Sequence, residues 1–399
     1  MSKPTPDFDV VIVGGGLIGM AAALSLAARH FTVCMLEATE PKIDSTSVHP
    51  SFDDRTLVVN PASQQFWQNL GIWQTLLPHA TVVKQVHVSQ ANRFGAVVFT
   101  DQELQVPQLA HVIEAKILGH SLWQQVNESP KIKLLAPAEL TDHVSEASQV
   151  TVNYKRKDQT ESITARLLIA ADGARSRIRD QAGLTAEIKN YGSTALIANI
   201  STELPHQQCA YERLRPSGPL ALLPFHQRCG LVWTLPTAVA AEMMAKDDAQ
   251  FTAALQSDLG YRLGAITRVG KRSSYPLYRV SVAKQYQSRL VLLGNAAHTV
   301  SPVSAQGLNL GIRDISRLVE VLVAARDNQQ DFGESTVLAY YQQQSQPDQD
   351  RILRYTDDLM TWFKIDEPVI NSFRSLGLLL VDSQPHLKRY FYRLAGGLN

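Results

Sequence analysis

A glycine-spaced block near the start of the chain restricts the fold more than any other feature. Gly14-Gly15-Gly16-Leu17-Ile18-Gly19 follows directly on Asp9-Val-Val-Ile-Val13, a short β-branched run of the buried-strand type. Met20 to His30 is rich in Ala and Leu and reads as a helix. Phe31 to Leu36 reads as a second apolar strand, ending at Glu37. Strand, glycine turn, helix, strand and acid, in that order, make the full context of a dinucleotide-binding βαβ unit.

The chemistry explains the residue types. A pyrophosphate is held by backbone N–H groups and the positive end of a helix macrodipole, and side chains would block its approach. Gly14 permits the tight turn, Gly16 lets the backbone reach phosphate, and Gly19 packs helix on strand. Glu37 suits a ribose diol and repels a 2′-phosphate. The block points to an ADP moiety without separating NAD from FAD; the alternative is a glycine-rich turn with no ligand. No second copy follows, since Gly307-x-x-x-Gly311 lacks the spacing. Val10 to Ala28 also imitates the apolar part of a targeting signal. Asp7 and Asp9 stand where that signal needs cations, and the glycines weaken an isolated helix.

Composition excludes several classes. The 399 residues carry 38 Lys+Arg against 37 Asp+Glu, a net charge of +1, so no global basic field attracts nucleic acid. At 45% hydrophobic and 19% charged, the chain is neither disordered nor a coiled coil. Cys34, Cys209 and Cys229 form no CxxC pair, which predicts a reducing, cytoplasmic setting, and no His/Cys cluster has metal spacing.

The pattern along the chain predicts an α/β protein. Leu167 to Gly173 and Arg289 to Gly294 are buried-strand runs like the first, and Asn60–Leu70, Ile113–Val126 and Gly307–Val323 read as helices. Val82–Val88 and Ala96–Phe99 read as strands. Between Tyr191 and Ser281 short strands alternate with Pro and Gly, which predicts an inserted antiparallel sheet. The rest, from Asp331, reads as helical. The expected division is a Rossmann-like nucleotide-binding domain over 1–78, 111–186 and 286–325, a substrate-binding sheet over 79–110 and 187–285, and a helical region over 326–399.

Two further blocks carry chemistry. Ala171-Asp172-Gly173-Ala-Arg175-Ser176-Arg177-Ile-Arg179 is a strand ending in Asp-Gly followed by three alternating arginines; its bland reading is a solvated turn with a capped helix start. Gly294-Asn295-Ala-Ala-His298-x-x-x-Pro302 leads into Gln306-Gly307-Leu308-Asn309-Leu-Gly311, where a strand feeds a helix N-terminus able to stabilise an anion. Arg55, after Phe52-Asp-Asp, suits either a phosphate or a surface ion pair.

Taken together, these blocks resemble the flavoprotein aromatic hydroxylases related to p-hydroxybenzoate hydroxylase, over nearly the whole chain. Within that family the chain is similar to the ubiquinone-biosynthesis hydroxylases, on the side of 2-octaprenyl-6-methoxyphenol hydroxylase. Phe52-Asp-Asp-Arg55, Gly218-Pro219-Leu-Ala221-Leu-Leu223-Pro224, Arg262-Leu-Gly264-x-Ile266, Gly270-Lys-Arg272-Ser-x-Tyr275-Pro276 and Gln306-Gly307-Leu308-Asn309-Leu-Gly311-x-Arg313-Asp314 carry that likeness. The resemblance implies non-covalent FAD, with Gly14, Gly16, Gly19 and Glu37 on its ADP half and Arg55 near the flavin or its phosphates. Asp172 and Gly173 would touch FAD, Gly294 and Asn295 would reach the ribityl chain, and Pro302, Gln306, Gly307, Leu308 and Asn309 would border the isoalloxazine ring. Tyr211, Leu222 and Pro224 are candidates for the substrate lining. Three positions depart from the family pattern: Asn295 replaces its usual Asp, Ser301 a frequent His, and Ala305 a usual Gly.

The implied reaction is hydroxylation of a polyprenylated phenol through a flavin C4a-hydroperoxide, using O2 and NAD(P)H or another external reductant. No catalytic acid, base or nucleophile stands out; His298 and Tyr211 are the candidates for deprotonating the phenol, each better suited to a structural role. The alternatives are another ring position, a small aromatic acid held by Arg213, Arg215 or Arg228, and a weakly active flavin-binding scaffold in a complex of ubiquinone-biosynthesis proteins. The tail from Asn371 carries Arg374, Lys388, Arg389 and Arg393 against Asp382, beside Leu376-Gly-Leu-Leu-Leu-Val381 and Tyr390-Phe-Tyr392. That pattern suits peripheral contact with an anionic membrane face, or a helix docked on the core.

Overall fold

The computed structural model describes residues 5–40, 55–301, 305–362 and 364–396. Five parallel strands form its first layer, in the order Leu290–Leu292, Gln159–Ala170, Phe8–Val13, Val33–Leu36 and Ile132–Leu135. Period-two alternation divides the first strand between two cores. Val10 and Ile12 pack with Met20, Leu26, Leu122, Ile315 and Leu322 of three helices, Leu17–Ala28, Ala115–Glu128 and Gln306–Asp327. Val11 and Val13 pack with Leu140, Val150, Val152 and Ile163, under the antiparallel strands Glu139–Ser145 and Val150–Arg156. Burial on both faces is why these strands read as continuous apolar runs. Residues 10–28 are therefore a buried strand and helix of this layer.

The second layer is a nine-stranded sheet. Its main path runs His298–Thr299, Ser273–Val282, Ala186–Thr202, Arg228–Pro236, Leu220–Phe225, Cys209–Leu214, Gln85–Gln90 and Ala96–Thr100; Ile266–Val269 pairs beside Ala186–Thr202. It is antiparallel except at one place, where Cys209–Leu214 runs parallel to Gln85–Gln90. The apolar stretch Val82–Val88 is not one strand. It breaks at Lys84, and Thr81–Val83 joins a separate three-stranded sheet with Ala110–Glu114 and Thr56–Val59. Two helices absent from the sequence reading, Thr237–Ala245 and Asp248–Leu259, cover one face of the large sheet. Phe251 and Leu255 pack there against Leu222, Leu231 and Trp233.

The C-terminal part is helical, over Ser335–Trp362, Pro368–Ser383 and Pro385–Gly396. Arg313 and Arg317 of Gln306–Asp327 reach the buried Asp348 at 2.7 and 2.9 Å and fix the first of these helices. The second lies along the edge strand Ala96–Thr100, where Val98 N donates to Asp382 Oδ1 at 3.0 Å. The third reaches back to the front of Gln306–Asp327, where Gln306 Nε2 donates to Ala395 O at 3.0 Å. All three cysteines are buried and free. No described helix is long and apolar enough to cross a membrane, and no described group of His, Cys, Asp and Glu is placed to hold a metal ion.

Candidate active site

Three loops meet beyond the carboxyl ends of the parallel strands. Gly14 N donates to Leu36 O at 2.9 Å, Ala171 N to Val13 O at 2.8 Å, and Leu293 N to Ala170 O at 2.9 Å, so the three sequence blocks leave adjacent strands side by side. Ile18 wedges between two of them. A Cβ on Gly294 would lie 2.9 Å from Ile18 Cγ2, and one on Gly311 would lie 2.6 Å from Ile18 Cδ1. Gly14 has φ +110, and a side chain there would collide with the Ala171 carbonyl; one on Gly19 would collide with the carbonyl of Gly14. Gly16 is different. It precedes Leu17–Ala28 with extended backbone (φ −72, ψ 174), no side chain caps that helix, and its first turn holds no acid. The first N–H groups of the helix are thus left for a ligand.

The polar groups around this turn fit a dinucleotide. Glu37, buried at the end of its strand, accepts from Gly15 N at 2.5 Å and from Thr39 N at 2.9 Å. Gly15 is therefore a further residue of the site that the spacing rule passes over, because a Cβ there would press on Glu37 at 2.9 Å. Asp172 offers Oδ2 to Ile178 N at 3.4 Å, while its Oδ1 is enclosed with no hydrogen-bond partner among the described residues. An orphaned buried carboxylate oxygen calls for a donor, such as a ligand hydroxyl. Gly173, at φ +90, has open space where a side chain would stand. Two of the three arginines after it are engaged elsewhere: Arg177 pairs with Glu139, and Arg179 is buried, donating to Ala174 O and Ala296 O, while Arg175 is exposed.

Around the third block the side chains are mostly engaged. Asn295 is exposed. Asn309 Oδ1 accepts from Ser63 Oγ at 2.7 Å and Asn60 N at 3.2 Å, and its Nδ2 donates to Val58 O and Ala305 O, both at 2.9 Å. Asn309 therefore locks the helix start onto the segment after Arg55. Gly307 is exposed and Leu308 half-buried at that helix start. Ala305 caps it in the left-handed region, φ +50 and ψ 41, which is where a glycine is the unstrained choice. His298 is buried and tied to Asp314, which also accepts from Gln349 at 3.1 Å; this network joins the loop to the helices. Pro302 and the Phe52-Asp-Asp stretch lie outside the described residues.

The large sheet turns one face toward this site. A side chain on Gly230 would strike Thr56, and the Arg55 guanidinium lies 4.9 Å over the Tyr275 ring. Registers put Val88, Glu212, Ala221, Val232, Ile197 and Ser273 in one row across that face, between the row of Gly230 and the row of Tyr275. Tyr211 and Leu222 belong to the other face, in or against the core beneath Phe251 and Leu255. Alternation puts Pro224 with Leu222. The lining is therefore drawn from the neighbours of the three sequence candidates. One of those neighbours is a carboxylate that the sequence reading passes over. Burial pushes the Glu212 carboxyl up to about 7, and its enclosed Oε1 has no hydrogen-bond partner among the described residues. Its signal in the sequence is phase alone: Glu212 falls in step with Ala210 and Leu214, both buried.

Comparison with known proteins agrees with this geometry. Residues 7–356 match the family model described as FAD binding domain. Over 390 residues the chain is 32% identical to ubiquinone hydroxylase UbiL of Rhodospirillum rubrum, covering 98% of this chain and 89% of the relative. It is 30% identical over 398 residues to 3-demethoxyubiquinol 3-hydroxylase of Escherichia coli, covering all of both chains. Among solved structures, p-nitrophenol 4-monooxygenase PnpA of Pseudomonas putida superposes with a TM-score of 0.79 at 18% identity, over 96% of each chain, which shows a shared fold.

Proposed function

The chain belongs to the FAD-binding-domain family, and on that premise we propose that it is an FAD-dependent monooxygenase that hydroxylates the ring of a polyprenylated phenol in ubiquinone biosynthesis. One set of contacts carries the reading furthest: the glycine turn and the loop of the orphaned Asp172 oxygen leave adjacent strands, and Asn309 ties the start of Gln306–Asp327 to the segment whose Arg55 and Thr56 abut the large sheet. Bound FAD, reduced by NAD(P)H or another external reductant, supplies the activation of O2.

The chain's own residues bind, orient and shield. In this reading Gly14, Gly16, Gly19 and Glu37 hold the ADP half, and Asp172, Gly173, Gly294 and Asn295 take the middle of the cofactor. Arg55, Pro302, Gln306, Gly307, Leu308 and Asn309 border the ring, Asn309 by fixing backbone. Nucleotide binding falls to 1–78, 111–186 and 286–325, and the wall to 79–110 and 187–285. Val88, Ala221, Leu223, Val232 and Ile197 keep water from the reacting atoms, as productive oxygen transfer requires. None of the three arginines that could hold a ring carboxylate faces this wall. Arg215 pairs with Asp258 at 2.7 Å, Arg213 alternates onto the helix-covered side, and Arg228 is exposed at a hairpin tip. That favours a lipophilic phenol over an aromatic acid.

We further propose a peripheral membrane contact through the C-terminal tail from Asn371. Pro368–Ser383 exposes Val369, Phe373, Leu376 and Leu380 as one stripe beside exposed Arg389 and Arg393. Lys388 does not contribute, because it is buried between Glu103 and Asp382 at 3.0 and 2.9 Å. The test of the main reading is coupled consumption. Addition of a prenylated phenol should raise reductant and O2 uptake together by at least tenfold over the phenol-free rate; an unchanged rate with every prenylated phenol tried would refute it.

A further inference from the structure

Glu212 sits in the apolar row of the sheet wall between Val88 and Ala221, on the face that meets Thr56 and Arg55. It has no hydrogen bond and no ion pair among the described residues, and its Oε1 is enclosed. A carboxylate so placed is costly to fold and is normally paired. None of the described residues pairs with it. The ionisable groups on the same side are Arg55 over Tyr275, Tyr392 in the cluster of Ala210 and Phe225, and Arg374, which donates to Asn371 beside Gln90, the residue in phase with Val88. His87, Arg213 and Arg262 belong to the opposite side, around Tyr211.

Resting on the function proposed above, we propose that Glu212 receives the substrate's phenol group: its carboxylate accepts the hydroxyl hydrogen bond and takes the proton as the ring is oxygenated. The phenol O–H bond breaks and a carboxyl O–H bond forms, and the electron pair left on oxygen raises the density at the ring carbons ortho and para to it. Overall, ring C–H, O2, the reductant's hydride and one solvent proton give ring C–OH, oxidised reductant and water. Glu212 returns its proton to the product oxygen. Burial strengthens it as a base by raising its proton affinity toward neutrality. The same charge selects substrate, because an aromatic carboxylate would bring a second anion into an apolar wall.

The test compares flavin-loaded wild type with Glu212→Gln, using a short-chain prenylated phenol. In wild type kcat should rise with pH through about 7. Glu212→Gln should bind the phenol within about threefold and keep its FAD, yet lose that pH limb and lose about 100-fold in kcat. A fluorinated phenol, already ionised at neutral pH, should restore most of the rate. Equal kcat and pH profile in Glu212→Gln, or no gain from the fluorinated phenol in that variant, would overturn the proposal. A wild-type kcat with no pH limb near 7 overturns it even if the variant does not fold. Failure of wild type to hydroxylate any prenylated phenol would instead refute the function on which this rests.

Discussion

Arg55 lays its guanidinium 4.9 Å over the ring of Tyr275 and so joins the segment beside the nucleotide loops to the large sheet. Thr56, the next residue, abuts Gly230 on the same face. These two contacts decide which of two apolar sheet faces looks at the site. The row of Glu212, Ala221 and Val232 runs between them, and the wall of the reaction space follows from that placement.

The glycines of the fingerprint separate by role. Gly16→Val keeps an allowed backbone and should fold with a melting temperature near wild type, yet purify with little flavin, because a branched side chain stands at the phosphate approach. Gly19→Ala drives a Cβ into the carbonyl of Gly14 and should cost at least about 3 kcal/mol of stability. Flavin absorbance per protein and thermal melts check both; a Gly16→Val protein with full flavin would remove the site.

Two departures from the family pattern have opposite weight. Asn295 is exposed, so Asn295→Asp should retain FAD and stability. Ala305 occupies the left-handed region, and Ala305→Gly should relieve about 1 kcal/mol of backbone strain, read as a slightly raised melting temperature. A lower melting temperature for Ala305→Gly would show that the loop is not strained.

Glu212 gives a pH-dependent stability of unusual sign for a carboxylate. Its folded pKa lies above the unfolded value, so folding is unpenalised below the unfolded pKa and loses stability as pH rises through about 7. Glu212→Gln should therefore match wild type near pH 4.5 and exceed it at pH 8 by about 3 kcal/mol, measured by denaturant melts of flavin-loaded protein without phenol. A gap of the same size at both pH values would show a packing effect.

The exposed stripe of Pro368–Ser383 makes a membrane prediction. Phe373→Ser with Leu380→Ser should lower flotation with anionic vesicles several-fold while leaving the melting temperature within about 1 °C, since neither side chain is buried. Equal flotation of the variant and the wild type would remove the lipid contact.

Much of the architecture was legible because the parallel strands are buried on both sides. Val10–Val13, Leu167–Ala170 and Leu290–Leu292 are continuous apolar runs, and each is followed by the loop that its block carries. The sheet faces were not legible. Leu220 and Leu222 alternate with Ala221 and Leu223, so both faces are apolar, and only the contacts of Arg55 and Thr56 tell them apart; the pattern alone does not show that Tyr211, Leu222 and Pro224 lie on the covered side. The break at Lys84 was hidden in one apolar stretch that serves two sheets. Glu212 was hidden because a charged residue inside a strand reads as solvated, and its burial depends on strands far away in sequence.

The central claim is oxygen insertion, and isotope incorporation tests it most directly. Flavin-loaded protein, an external reductant and a prenylated phenol are incubated under 18O2 and the product is weighed by mass spectrometry. The account predicts a product that gains one labelled oxygen atom, with little hydrogen peroxide released, because the wall of Val88, Ala221 and Val232 keeps water out. Peroxide alone, with the phenol recovered unlabelled while a small aromatic acid is hydroxylated under the same conditions, would contradict it.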